Sequence, residues 1–221
     1  VAEKLEKAKS LETAVQDLVK EVWKDHKKVV FNGNGYAQEW VEEAAKRGLP
    51  NINNTVDAVQ KLTDKKSIEL FERQGVLNAS ELHAREEVVL EHYINTINIE
   101  ALTMLEMAKR DLLPAGMKYA AQLADTVAKL KALDVEVTAQ AETLKEMSAL
   151  CASTKSGIKA LEDAVAKAVA CEGVKACAAS YRDDVFTAMG KLRESVDAME
   201  VICDSEIWPI PSYGELLLSV R

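Results

Sequence analysis

Leu5, Ala8, Leu11, Val15, Leu18, Val19 and Val22 recur three and four residues apart with charged residues between them. That spacing places them on one helix face and predicts a single amphipathic helix over 2–25. An apolar run, Val29-Val30-Phe31, leads into Asn32-Gly33-Asn34-Gly35. Two Asn-Gly pairs adopt positive φ cheaply, so a tight turn is expected at Asn32–Gly35. Helix returns over 37–47 and stops at Gly48, with Pro50 just beyond. Residues 49–54 read as a loop. Thr55 is expected to cap a short helix to Leu62, and a second short helix covers 64–74 before Gly75. Asn78, followed three residues on by Glu81, carries the reciprocal capping pattern that opens a helix. From there the helical pattern continues to Lys131. Pro114 lies inside it, lacks an amide hydrogen and crowds the preceding turn, so the helix must kink or divide.

The last third is the most regular. Val137, Leu144, Cys151, Ile158 and Val165 recur every seven residues, and Met147, Leu161 and Ala168 fill the complementary positions. Gln140 and Thr154 fall on the same seam and are expected to weaken it locally. Beyond Gly173 a second seam runs through Cys177, Tyr181, Val185, Ala188, Leu192, Val196, Met199 and Cys203. Two seams joined by a short Gly-containing turn make an antiparallel helical hairpin over 137–203. Helices of this length span about 50 Å, so the hairpin is expected to reach well beyond a compact globule. Residues 115–132 are expected beside it as a third helix. Two parts follow from this layout, residues 1–114 and residues 115–221. The tail, Ile207 to Leu218, holds two prolines that stop the helix. Its Trp208, Tyr213 and Leu216–Leu218 are expected to dock on the body or on a neighbouring subunit.

Composition agrees with the periodicity. Nine Gly, four Pro and 5% aromatic residues leave little punctuation for a turn-rich β fold, while Ala, Leu, Glu and Lys favour helices. The class is all-α. The net charge of −8 is spread with acidic and basic residues interleaved, and no basic stripe suits a phosphate backbone, which argues against nucleic acid as a partner. No apolar run reaches the roughly 20 residues of a membrane span, and the N-terminus lacks the pattern of a signal peptide, so a cytoplasmic protein is expected. The chain starts on Val1 within a helical pattern, as a piece of a longer protein would. Cys151, Cys171, Cys177 and Cys203 lack CxxC spacing and read as buried thiols rather than disulfides or zinc ligands, although Cys171 and Cys177 flank a predicted turn.

Candidate chemistry is sparse. His83, Glu87 and Glu91 share one helix face and could offer an imidazole and two carboxylates to a divalent ion, but a further ligand from another helix is missing. A solvated face explains them better, as it does Glu42-Glu43 and Glu86-Glu87. The Asn32–Gly35 loop offers backbone amides to a phosphate but has neither GxGxxG spacing nor a following Lys-Ser/Thr pair. His26, His83 and His92 stand near no Ser or Cys in a nucleophile-like setting. The residues themselves describe a structural or interaction module.

Three stretches are more specific. Residues 25–50 read DHKKVVFNGNGYAQEWVEEAAKRGLP, residues 92–110 read HYINTINIEALTMLEMAKR, and the tail reads IWPIPSYGELL. Together they closely resemble the C-terminal part of the type III glutamine synthetases, the large bacterial form of that enzyme. The segment from Asn54 to Ala101, with Gly75-Val76-Leu77, also resembles the C-terminal end of ordinary glutamine synthetases. The resemblance implies a parent enzyme that uses ATP and Mg or Mn to phosphorylate glutamate and lets ammonia displace the phosphate, with charge stabilisation doing most of the catalysis. It implies that the metal carboxylates and arginines belong to barrel strands before this region, so no catalytic, cofactor-binding or metal residue is assigned in 1–221. It also implies a homo-oligomer, a double-ring dodecamer, in which the hairpin serves assembly or regulation. The rival readings are a free-standing helical scaffold that binds a partner through its hairpin and a helical metal-binding protein.

Overall fold

A computed structural model describes residues 1–218, and no strand occurs among them. The chain forms two compact units, 1–54 and 55–221. The division expected between residues 114 and 115 lies within the second unit, where the helix runs on through Pro114.

The first unit opens with α1 (Ala2–Glu6) and α2 (Leu11–His26), so the single helix expected over 2–25 is split. Ser10 is the cause: its backbone is extended at φ −132°, it takes the N-cap position of α2, and its carbonyl receives the Ala14 amide at 3.1 Å. Serine competes with the helix backbone and favours such starts over helix interiors. Lys4 pairs with Glu21 at 2.6 Å and ties α1 to α2. A 3₁₀ turn, Lys27–Val29, follows, and then α3 (Gln38–Lys46). The expected C-terminal stop is present at Gly48, which has φ +69°. The Gly48 amide donates to the Ala45 carbonyl and the Leu49 amide to that of Ala44, which satisfies the last carbonyls of α3.

The second unit begins with α4 (Thr55–Gln60), a 3₁₀ turn at Lys61–Thr63 and α5 (Lys65–Arg73), which closes at Gly75, φ +65°. The capping box at Asn78 is formed as expected: its Oδ1 accepts from the Glu81 amide at 3.0 Å, and Glu81 Oε2 accepts from the Asn78 amide at 2.8 Å. It starts α6 (Ala79–Met107). Pro114 neither divides the rod nor leaves it regular. A π-helical turn, Ala108–Leu112, carries α6 into α7 (Leu113–Lys131), with Pro114 in the first turn of α7. A widened turn is the usual relief where the α-helical ladder cannot continue unbroken.

The hairpin is α8 (Thr138–Val169) returning through α9 (Val174–Ser180), a second π turn at Tyr181–Val185, and α10 (Phe186–Ile202). At 32 residues α8 spans about 48 Å. The hairpin does not project from the globule as expected, because the α6–α7 rod lies along it and completes a three-rod bundle. Pairings fix the levels: Tyr181 bonds Asn98 at 3.0 Å near one end, and Gly116 faces Met147, Cys151 and Met199 near the other. The middle of both seams read from the sequence is the core, with Met147, Leu161, Val185, Leu192 and Met199 essentially sealed from solvent, while Val137, Leu144 and Cys177 at the seam ends are only half-buried. Thr154 does not weaken its seam. It is 0% exposed, and its hydroxyl donates to Ser195 Oγ at 3.0 Å, which in turn donates to the Leu192 carbonyl at 2.9 Å.

The tail docks only in part. Trp208 is buried, and its indole N–H reaches Glu200 Oε1 at 3.1 Å. Docking on the body does not extend to α11 (Tyr213–Leu218), where Tyr213 is 85% and Leu217 80% exposed, which leaves a neighbouring subunit as the expected cover for these residues.

Candidate functional site

The carboxylates and imidazole singled out on α6 assemble no ligand set, although His83 and Glu87 line the same cavity. His83, Glu87 and Glu91 are exposed, and among the described residues no three His, Cys, Asp or Glu side chains meet in a way that could hold a metal ion. The residue between them differs from its neighbours. Glu86 was grouped with solvated pairs, yet it is 2% exposed. Lys175 Nζ of α9 stands 2.7 Å from its Oε1, and His83 Nδ1 stands 3.7 Å from its Oε2. The lysine contact is close in distance but off the hydrogen-bond direction, so Oε1 is ion-paired without a directed bond. A cavity of about 460 Å³ opens beside this pair, floored by Leu90 and the Gly173–Ala176 turn. A signal was present: Leu82, Glu86 and Leu90 are four apart, which puts Glu86 on the buried stripe of α6. The partner, 89 positions away on α9, had none.

The Asn32–Gly35 loop is a turn, though not the one expected. Neither Gly33 nor Gly35 has positive φ. Asn34 builds it instead, its Oδ1 accepting the Tyr36 amide at 3.0 Å and its carbonyl the Ala37 amide at 3.1 Å. Those two amides are therefore already occupied and do not point at a phosphate. Phe31 stacks on Trp40 with centroids 4.5 Å apart, and the Arg47 guanidinium lies over the Trp40 ring at 5.6 Å. Arg47 also donates to the Val30 carbonyl at 2.7 Å and to the Lys28 carbonyl at 3.2 Å, so one arginine clamps the strand-like approach to α3. A Cβ on Gly33 would stand 2.6 Å from the Phe31 ring, which accounts for glycine there. Tyr36 at the tip is fully exposed.

Two apolar surfaces stand open to solvent. One is a groove of about 680 Å³ between α6 and α10, with Met104, Met107, Phe186 and Met189 in its walls. The other is the stripe on α2, where Leu11, Val15, Val19, Val22 and Trp23 are 41–64% exposed. Most ion pairs of the bundle join residues three or four apart along one helix, and a few tie different helices together. Arg182 bridges Asp57 at 2.6 Å and Asp183 at 2.7 Å, and the guanidinium holds the Asp183 carboxyl below its ordinary range. Lys167 does the same for Asp184 at 2.8 Å. These contacts join neighbouring parts of the bundle.

A family model described as the glutamine synthetase C-terminal domain matches residues 14–131, from the start of α2 to the end of α7. The chain belongs to that family. The glutamine synthetase of Butyrivibrio fibrisolvens is 36% identical over 213 residues, 96% of this chain and 30% of that protein. The glutamine synthetase of Bacteroides fragilis (strain YCH46) is 31% identical over 195 residues, 86% of the chain and 27% of that protein. A type-3 glutamine synthetase of Dictyostelium discoideum is 28% identical over 218 residues, 96% of the chain and 30% of that protein. The chain thus spans less than a third of the length of these relatives, and they are not confined to bacteria. The matched family domain ends where the hairpin begins, so α8 to α11 are shared with the long relatives and lie outside the family model.

Proposed function

We propose that this chain is the non-catalytic C-terminal helical portion of a type III glutamine synthetase, seated on the rest of that enzyme through α2. The carrying observation is the uncovered stripe Val15, Val19, Val22 and Trp23, which starts where the family match starts. A water-facing apolar stripe of this length is a surface made for burial. The parent reaction is ATP-dependent ligation of glutamate and ammonia in the cytoplasm, with Mg or Mn. Among the described residues the donors do not gather as a ligand set for such an ion: His83, Glu87 and Glu91 are exposed, and Glu86 is engaged by Lys175. On this reading metal and nucleotide are held by the remainder of the parent, and residues 1–221 supply packing, assembly of a homo-oligomer such as the family's dodecamer, or its regulation.

Two measurements test this. The purified chain, given ATP, glutamate, ammonium and Mg, is expected to form no glutamine, while the parent does. In the parent, Val19→Lys with Val22→Lys is expected to reduce assembly and activity together, read by mass photometry and turnover. The same changes leave the melting temperature of the isolated chain unaltered. Glutamine formation by the isolated chain, or a fully assembled and active double variant, overturns the proposal.

A further inference from the structure

The turn between α8 and α9 holds a cysteine on either side, and bundle packing uses neither thiol. Cys171 lies in the connection after α8, and Cys177 sits in the first turn of α9, its amide donating to the Gly173 carbonyl at 2.9 Å. Gly173, at φ +85°, reverses the chain so that the two residues face each other. Cys177 Sγ donates to the Cys171 carbonyl oxygen at 3.0 Å. That oxygen is two short bonds from Cys171 Cα, roughly 1.2 and 1.5 Å, so a side-chain rotation brings the two sulfurs together. The thiols already interact: burial first, and Cys171 second, push the Cys177 thiol up. The other two cysteines differ. Cys151 is enclosed in the core against Met199, and Cys203 closes the far end of α10.

We propose that Cys171 and Cys177 are a redox modification site, forming a reversible intramolecular disulfide with a hydroperoxide as oxidant. The Cys171 thiolate attacks the distal peroxide oxygen and the O–O bond breaks; the departing oxygen takes a proton, leaving a sulfenic acid on Cys171. Cys177 sulfur then attacks the Cys171 sulfur. The S–S bond forms, the S–O bond breaks, and hydroxide leaves as water with the Cys177 proton. Two thiols and one hydroperoxide become one disulfide, one water and one alcohol, or a second water when the oxidant is hydrogen peroxide. A dithiol reverses the step by exchange. The ring so closed contains Lys175, the cation of buried Glu86, so oxidation fastens the start of α9 to the end of α8 around that ion pair. The site is independent of the reaction assigned to the parent.

Trypsin separates the two cysteines, because Lys175 lies between them and Lys167 and Arg182 bound the peptides 168–175 and 176–182. The purified chain is treated with hydrogen peroxide, alkylated and mapped by mass spectrometry without reduction. The expected result is an intact mass lower by two hydrogens and a linked 168–175/176–182 pair that dithiothreitol separates. Cys171→Ser and Cys177→Ser each abolish the two-hydrogen loss. Both cysteines remaining fully alkylated, single oxygenated cysteines, or links to Cys151, Cys203 or a second chain would overturn the proposal. Mapping of the unaltered chain decides it even if a variant fails to fold.

Discussion

A hydroxyl sealed among Met147, Ile158 and Met199 costs stability unless it is bonded, and Thr154 is bonded to Ser195. Removing only the acceptor leaves a buried donor unsatisfied, so Ser195→Ala is expected to cost about 1–3 kcal/mol. Adding Thr154→Val to it removes the orphan and is expected to recover most of that loss, which urea unfolding of the single and double variants checks. The same contrast explains what could be read at this scale. Thr154 was visible on its seam as an anomaly, and so was Glu86 between Leu82 and Leu90, had the stripe been followed. What completes each group lies on another rod, Ser195 and Lys175, and one-dimensional spacing carries no trace of it. Polar residues at core positions signal a partner without naming it.

Helices were legible where a cap marks the start, as at Asn78, and where the apolar period alone is long and regular, as along α8 and α10. They were misread where one residue overrode the period. Ser10 restarted the first helix, and Pro114 was absorbed by a π turn. The loop at Asn32–Gly35 was placed correctly but for a different reason, since an asparagine side chain rather than a left-handed glycine makes it. Two glycines on the hairpin separate helix propensity from helix packing. A Cβ on Gly157 would lie 3.3 Å from Leu192 Cα, a backbone atom that cannot yield without moving α10. A Cβ on Gly190 meets nothing within 4 Å. Gly190→Ala is therefore expected to stabilise by roughly 0.5–1 kcal/mol. Gly157→Ala is expected to destabilise by about 1–2 kcal/mol despite the same gain in propensity. Thermal unfolding of the two variants side by side gives opposite shifts.

Across the second unit, cations hold carboxylates below their usual range: Lys109 with Glu162 and Lys167 with Asp184 from one rod to the next, and Arg182 with its chain neighbour Asp183. A depressed carboxyl adds stability above its unfolded pKa and loses it as pH falls through the folded one. The melting temperature is therefore expected to hold from neutrality down to the ordinary carboxylate range and to drop below it. Asp184→Asn should flatten part of that drop, and because the pairs are exposed, salt should shrink it too. The bundle as a whole was legible from two seams and a long rod. The α2 stripe was read as a helix face, but its lack of cover shows only once its neighbours are placed. Each of the two parallel rods, α6–α7 and α9–α10, contains one widened turn, at Ala108–Leu112 and Tyr181–Val185. Such a turn houses one residue more than a regular helix needs. Loss of a single residue from either segment would let it relax to ordinary helix while both flanks keep their phase. The same loss elsewhere in a rod would turn everything downstream by about 100° and bring polar side chains into the core.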